Sequence, residues 1–137
     1  MTKLENRPIT VEKKWVHNGL DCKVVFNSRF RCGYVRVPKD SILFDVSYDD
    51  VPINVHGGLT YGSMNEQSEF WLGFDCAHWG DVDANEQQRE GHFWTLEDTA
   101  KETESLAEQI TKVTLRKMIE YKLQYMPDWF KHGIEIK

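Results

Sequence analysis

Apolar and β-branched residues come in short alternating runs over the first third of the chain and at helical spacing over the last third. A segment rich in glycine and aromatic residues lies between them. Residues 14–17 (KWVH), 20–27 (LDCKVVFN) and 31–37 (RCGYVRV) are broken by Asn18-Gly19 and by Asn27-Ser28-Arg29. This spacing predicts a three-stranded meander that Pro38 ends. The next stretch, KDSILFDVSYDDVP, is acidic and turn-rich, and it predicts a loop with at most one helical turn. A strand from Asn54 and a strand ending at Asp75 then form a hairpin, with Gly62 to Glu69 as the connection.

Beyond a polar loop from Val82 to Gly91, Thr95 is placed as an N-cap, with acidic residues in the first turn and Trp94 as a staple residue. Ala100, Thr103, Leu106, Ala107, Ile110, Val113 and Met118 recur at helical spacing, leaving Lys101, Glu104, Glu108 and Lys112 on the other side. That stripe reads as a core-facing helix surface, and Pro127 stops its continuation through YKLQYM. The predicted architecture is α+β, an antiparallel sheet of about five strands with one long amphipathic helix packed on one face. It forms a single domain over 1–137, mainly β over 14–80 and mainly α over 95–126. The tail, 127–137, is either a docked short strand or an oligomer contact.

The chain has 137 residues, with 17 basic against 22 acidic side chains and a formal charge of -5. One hydrophobic core fits that length without metals or disulfides. The charge argues against a nucleic-acid polymer as ligand, but a pocket can still be locally positive for a small anion. Three widely spaced cysteines, no C-x-x-C pair and no apolar leader point to a reduced cytosolic protein. No window approaches a membrane span.

The segment from Val55 to Asp81 concentrates the candidate chemistry. Antiparallel counting across the expected hairpin pairs Tyr61 with Phe70, Leu59 with Leu72, Gly57 with Phe74 and His56 with Asp75. Val55, Leu59, Tyr61, Phe70, Leu72 and Phe74 then face the core. Asn54, His56, Gly58, Thr60, Trp71, Gly73 and Asp75 share the opposite face. There Gly58 and Gly73 leave room either for Trp71 to lie over bare backbone or for a ligand to approach the strand. The expected binding set is His56, Gly57, Gly58, Thr60, Tyr61, Trp71, Asp75, His78, Trp79 and Asp81.

Within that set, Asp75 would fix the tautomer of His56, as for a general base, a ligand contact or a structural hydrogen bond. If the protein is an enzyme, the catalytic residues are His56, Asp75 and His78. No cofactor is expected. An alternative zinc or iron site would use His56, His78 and either Asp75 or Asp81, although no compact ligand pair anchors it. Cys76 reads as a small buried hydrophobe. Of Arg29, Arg31 and Arg36, one could meet a phosphate, while His17, His92 and His132 read as solvated or isolated.

RCGYVRVPK, the YDD after it, HGGLTY and GFDCAHWGD, succeeded by a Glu-rich helix, resemble a family of small proteins encoded by tailed bacteriophages and prophages. The resemblance runs from about Trp15 to Val113. It implies a viral origin and expression in bacterial cytoplasm, and leaves the chemistry open. In that setting the leading expectation is a counter-defence protein that sequesters a nucleotide-derived immune signal, a cyclic oligonucleotide or a cyclic ADP-ribose relative. Trp71 and Tyr61 or Trp79 would stack on the base, while His56, Thr60, Asp75 and His78 would hydrogen-bond sugar and phosphate. The second expectation is a hydrolase or phosphodiesterase that degrades such a signal, with or without a metal. The third is an acidic protein that inhibits a host enzyme through Asp40, Asp45, Asp49, Asp50, Asp81, Asp83 and Glu86. Trp129 and Phe130 hint at a homodimer.

Overall fold

The computed structural model describes residues 8–124 and 126. Its strands are β1 (Thr10–His17), β2 (Leu20–Phe26), β3 (Arg31–Val37), β4 (Tyr61–Met64) and β5 (Phe70–Asp75). They form an antiparallel sheet in the order β1-β2-β3-β5-β4. The meander closes as its turn residues dictate, because Asn18 (φ 52°) and Gly19 (φ 77°) both take the left-handed conformation of a type I′ hairpin turn. A long connection with one 3-10 turn, Tyr48–Asp50, carries the chain from β3 to the β4–β5 hairpin.

Helix α1 (Leu96–Lys112) crosses one face of the sheet, against β2 and β3. Thr95 and Asp98 form a reciprocal capping box at its start. Its buried stripe is Thr99, Ala100, Thr103, Leu106, Ala107 and Ile110. The two threonines are tolerated there because their hydroxyls donate to the carbonyls of Thr95 (2.8 Å) and Thr99 (2.7 Å) within the helix itself. Below them Gly33 leaves the space that the helix occupies, since a Cβ at this position would run into Thr103 Oγ1 and the Phe74 ring. Leu43, Leu72, Phe74 and Leu106 are fully buried between the layers, and each such side chain stabilises the fold by roughly 1.5–3 kcal/mol.

Three expectations are corrected. The periodic stripe from Ala100 to Met118 spans two helices and not one. The first ends at Lys112, Val113 turns extended (ψ 133°), and Thr114 caps a second helix, α2 (Leu115–Leu123), by accepting from the Lys117 N–H. The β-branched run around Val113 and Thr114 disfavours helix, and a threonine hydroxyl competes for the backbone. The hairpin register also differs. Tyr61 pairs with Gly73, Ser63 with Trp71 and Met64 with Phe70. The turn is therefore Asn65 to Glu69, where the Asn65 side chain accepts from the N–H groups of Gln67 and Glu69. An odd shift reverses the faces of the first strand, so Tyr61 leaves the core face. Finally, residues 54–60 are not strand.

Cys32, Tyr34, Arg36, Tyr61, Ser63, Trp71, Gly73 and Asp75 therefore share the face opposite α1, with Lys23 and Lys14 beside them. No described helix packs on that face. The tail, with Trp129, Phe130 and His132, lies outside the described residues. No described helix is long and apolar enough to cross a membrane.

Candidate functional site

The candidate residues separate into two clusters, one a knot of hydrogen bonds and the other an open aromatic surface. The knot is built on Asp81, whose side chain is only 4% exposed. Its carboxylate accepts from His56 Nε2 (2.8 Å), from the His78 backbone N–H (2.9 Å) and from Trp94 Nε1 (3.1 Å). The sequence instead pairs His56 with Asp75, and the register shift removes that contact. Asp75 Oδ1 lies 3.0 Å from His78 Nε2, within ion-pair range but off the hydrogen-bonding direction. That buried nitrogen has no hydrogen-bond partner among the described residues.

Rings complete the knot. The His56 imidazole stacks on Trp94 with centroids 4.3 Å apart and planes tilted by 31°, and it meets the His78 ring edge to face at 5.5 Å. The His56 N–H donates to Glu102 on α1 (2.6 Å). Three segments distant in sequence, the turn at 55–58, the loop at 76–81 and the entry to α1, are thereby joined at one carboxylate.

The glycines of HGGL belong to this knot rather than to a ligand floor. Gly57 (φ 69°) and Gly58 (φ 80°) adopt the left-handed conformation of a turn in which the Gly58 N–H donates to the Val55 carbonyl. The His78 ring lies against Gly57 where a Cβ would stand, and among the described residues nothing beyond its chain neighbours stands within 4 Å of a Cβ at Gly58. Trp71 thus lies over neither of the expected glycines. It is Tyr34 that covers Gly73.

The metal arrangement of His56, His78 and an aspartate is not formed. The imidazoles turn to different aspartates, and among the described residues no group of three or more His, Cys, Asp or Glu side chains is placed to hold a metal ion. The acidic-face reading also loses members. Asp81 is enclosed, and Asp83, likewise buried, is ion-paired to Arg29. The other two arginines are engaged as well, Arg31 with Glu12 and the Trp94 carbonyl, and Arg36 with Asp21 and Glu69.

The aromatic cluster lies on the sheet face opposite α1, which no described helix covers. Tyr34, Tyr61 and Trp71, with Lys23, Val25, Ile9 and Asn65, line a concavity of about 260 Å³. Tyr34 and Tyr61 meet edge to face at 5.3 Å. The Lys23 ammonium stands 4.4 Å from the Trp71 ring centre and 5.6 Å from that of Tyr34. Trp71 Nε1 donates to Glu69 (3.3 Å), which orients the indole. Hydrogen bonds from Asn65 and Trp71 hold the Glu69 carboxyl below its ordinary range, so it stays anionic beside the cleft. Burial pushes the Tyr34 phenol well up, so it stays a neutral donor.

Of the expected binding residues, the structure brings Tyr61 and Trp71 together here. His56, Gly57, His78 and Asp81 are gathered in the knot, with Gly58 in its turn and Asp75 beside His78. Thr60 is exposed, its N–H donating to the Gly73 carbonyl (2.9 Å). Trp79 is fully exposed at a turn closed by the Asp81 N–H on the His78 carbonyl.

Sequence reasoning missed Trp94, Tyr34 and Lys23. Trp94 reads locally as a helix staple, although an indole beside two histidine-bearing loops is a signal of sorts. Tyr34 and Lys23 do alternate onto the open face of their strands, a signal that the chain carries locally. His17 is not solvated either, for it contacts Glu104 and Glu108 on α1. His92 pairs with Asp98 and abuts Trp94.

Cys76 is buried against Thr99 Oγ1, as a small hydrophobe would be. Burial raises the Cys22 thiol from 9.0 to about 11 and the Cys76 thiol from 9.0 to about 12. Both are expected to resist iodoacetamide in the native protein at neutral pH and to react once it is unfolded. The unfolded chain loses these protons near 9.0 and the folded one only near 11 and 12. Stability present below the lower value therefore falls as pH rises through the upper ones. Denaturation midpoints at neutral and alkaline pH, for the parent and for Cys76→Ala, check this; parallel pH profiles would refute it for Cys76.

Compared with models of protein families, with curated proteins and with solved structures, the chain gives no match.

Proposed function

We propose that the protein binds a small nucleotide and holds it without turnover, stacking a base on the uncovered sheet face. The observation that supports this reading is the concavity of Tyr34, Tyr61 and Trp71 with a lysine at its edge. Aromatic faces accept any base by stacking, worth about 1–3 kcal/mol per base, and a cation beside them favours a phosphorylated ligand. A volume of about 260 Å³ is below the roughly 300–1,000 Å³ of pockets that enclose a whole drug-sized molecule. One ring system fits, and the rest of the ligand lies along the sheet.

Holding is favoured over hydrolysis by the state of His56. Its Nε2 is taken up by Asp81, its face by Trp94, and it does not line the cleft. A general base must reach the proton it abstracts. The ligand class follows from the phage setting that the resemblance implies, taken with the shape of the aromatic cleft: a cyclic oligonucleotide or a cyclic ADP-ribose relative, sequestered in the bacterial cytoplasm as a counter-defence measure.

The test is to incubate the purified protein with a panel of these compounds and resolve the nucleotides chromatographically before and after heat denaturation. A compound that disappears and returns intact on heating is the expected result. A new product would make the protein an enzyme. If every compound stays free and intact, the reading fails for this ligand class.

A further inference from the structure

The pairing register sets a single row of side chains across the sheet on the uncovered face. Lys14 of β1 is opposite Lys23 of β2, Lys23 opposite Tyr34 of β3, Tyr34 opposite Gly73 of β5, and Gly73 opposite Tyr61 of β4. Residues directly opposite in an antiparallel sheet project from the same face, and neighbouring strands lie about 4.8 Å apart. The row therefore runs from two lysines on adjacent strands to two tyrosines, with Trp71 alongside. Lys14 is two strand spacings, or about 10 Å, from Tyr34.

Two features of the lysine pair call for an explanation. Like charges directly opposite one another destabilise a sheet. Neither lysine has a carboxylate within ion-pair distance among the described residues, whereas Arg29, Arg31 and Arg36 each have at least one. Acidic side chains outnumber basic ones in this chain, yet at this end of the row Lys23 meets only the longer-range field of Glu69 and the faces of two rings, and neither lysine is ion-paired among the described residues. Lys23 also rests over the Trp71 and Tyr34 rings, so a base that stacks there must displace its ammonium.

We infer that Lys14 and Lys23 form a phosphate subsite at the β1 end of the aromatic row, so that the ligand is recognised as a phosphorylated nucleoside and not as a free base or nucleoside. This rests on the stacking reading above. A phosphate between the two ammonium groups relieves their repulsion and leaves the rings clear. The base and the phosphate are then held by different strands, with the sugar spanning the gap between them.

Adenosine and 5′-AMP are the probes, titrated into the protein with binding monitored by NMR shifts of the tryptophan indole N–H groups. The expected result is a preference for 5′-AMP of about tenfold or more, the size of one charge-assisted contact. In Lys14→Gln the ratio of the two affinities should fall, in Lys14→Gln/Lys23→Gln it should approach one, and Lys14→Arg should keep it. The thermal midpoint of Lys14→Gln should equal or exceed that of the parent, since a repulsive pair is removed, and this controls for folding. Equal affinities for the two compounds in the parent, with both lost in Trp71→Ala, would overturn the phosphate subsite and leave the stacking surface standing. A preference for 5′-AMP that survives both glutamine substitutions would also overturn it. If neither compound binds, the stacking reading itself fails and the subsite with it.

Discussion

Asp81→Ala is expected to lower stability by roughly 3–5 kcal/mol, the range for removing one partner of a buried charged network. The carboxylate accepts from His56, His78 and Trp94 while almost fully enclosed. Truncation leaves an imidazole, a backbone N–H and an indole N–H without an acceptor, and each unsatisfied buried group costs about 1–3 kcal/mol. Because domain stabilities are of the order of 5–15 kcal/mol, the variant should lie close to unfolding at 37 °C. Asp81→Asn keeps an acceptor and should lose less. Urea denaturation of the three proteins measures the difference, and a loss below about 1 kcal/mol for the alanine variant would show that the knot is not what fixes the 76–81 loop. The asparagine variant also bears on catalysis. If any panel compound is turned over, and Asp81→Asn abolishes that turnover while remaining folded, the His56–Asp81 pair is a catalytic dyad and not a structural tie.

Trp71→Ala is expected to remove ligand binding by the sheet face while leaving the fold intact. The indole is half-buried on the sheet face opposite α1, outside the core between sheet and helix, and its Nε1 donates to Glu69. Loss of one stacking partner is worth about 1–3 kcal/mol, or roughly 5- to 150-fold in affinity. His56→Ala should weaken binding far less, because His56 belongs to the knot. The sequence assigns both residues to one ligand, whereas the structure places them in separate clusters. Chromatographic depletion of the panel by the parent and the two variants separates these outcomes. Loss of binding in His56→Ala with retention in Trp71→Ala would move the site from the sheet face to the knot.

Much of the fold is legible along the chain because its determinants are local. The I′ turn at Asn18-Gly19, the alternation in 20–27 and 31–37, the Thr95 capping box and the stripe from Ala100 to Ile110 each lie within a few residues of what they specify. The break at Val113–Thr114 is also written locally, in β-branched residues and a capping threonine, but the apolar periodicity continuing to Met118 conceals it. Of the candidate site, the segment is legible and its partners are not. The sequence singles out 55–81 as a place where glycines, rings and ionisable groups accumulate, and Trp71 as facing away from the helix.

Which partner each of those residues takes depends on register and on chain crossings, and neither is local. Because strand side chains alternate with a period of two, one odd slip in the β4–β5 hairpin moves Tyr61 from core to open face and separates His56 from Asp75. The slip is set by Asn65, whose side chain closes the turn from within the predicted connection. Asp81 meets His56 across 25 residues and Trp94 across 13, through loops that no periodicity constrains. The row Lys14–Lys23–Tyr34–Gly73–Tyr61 joins five strands, and only their lateral order brings its cations to its rings. The sequence by itself determined the elements, their polarity and the chemically dense segment, since propensity, capping and alternation act over a few residues. Tertiary structure alone decided which carboxylate holds which imidazole and which face gathers the aromatics, since those contacts form only once distant segments are packed together.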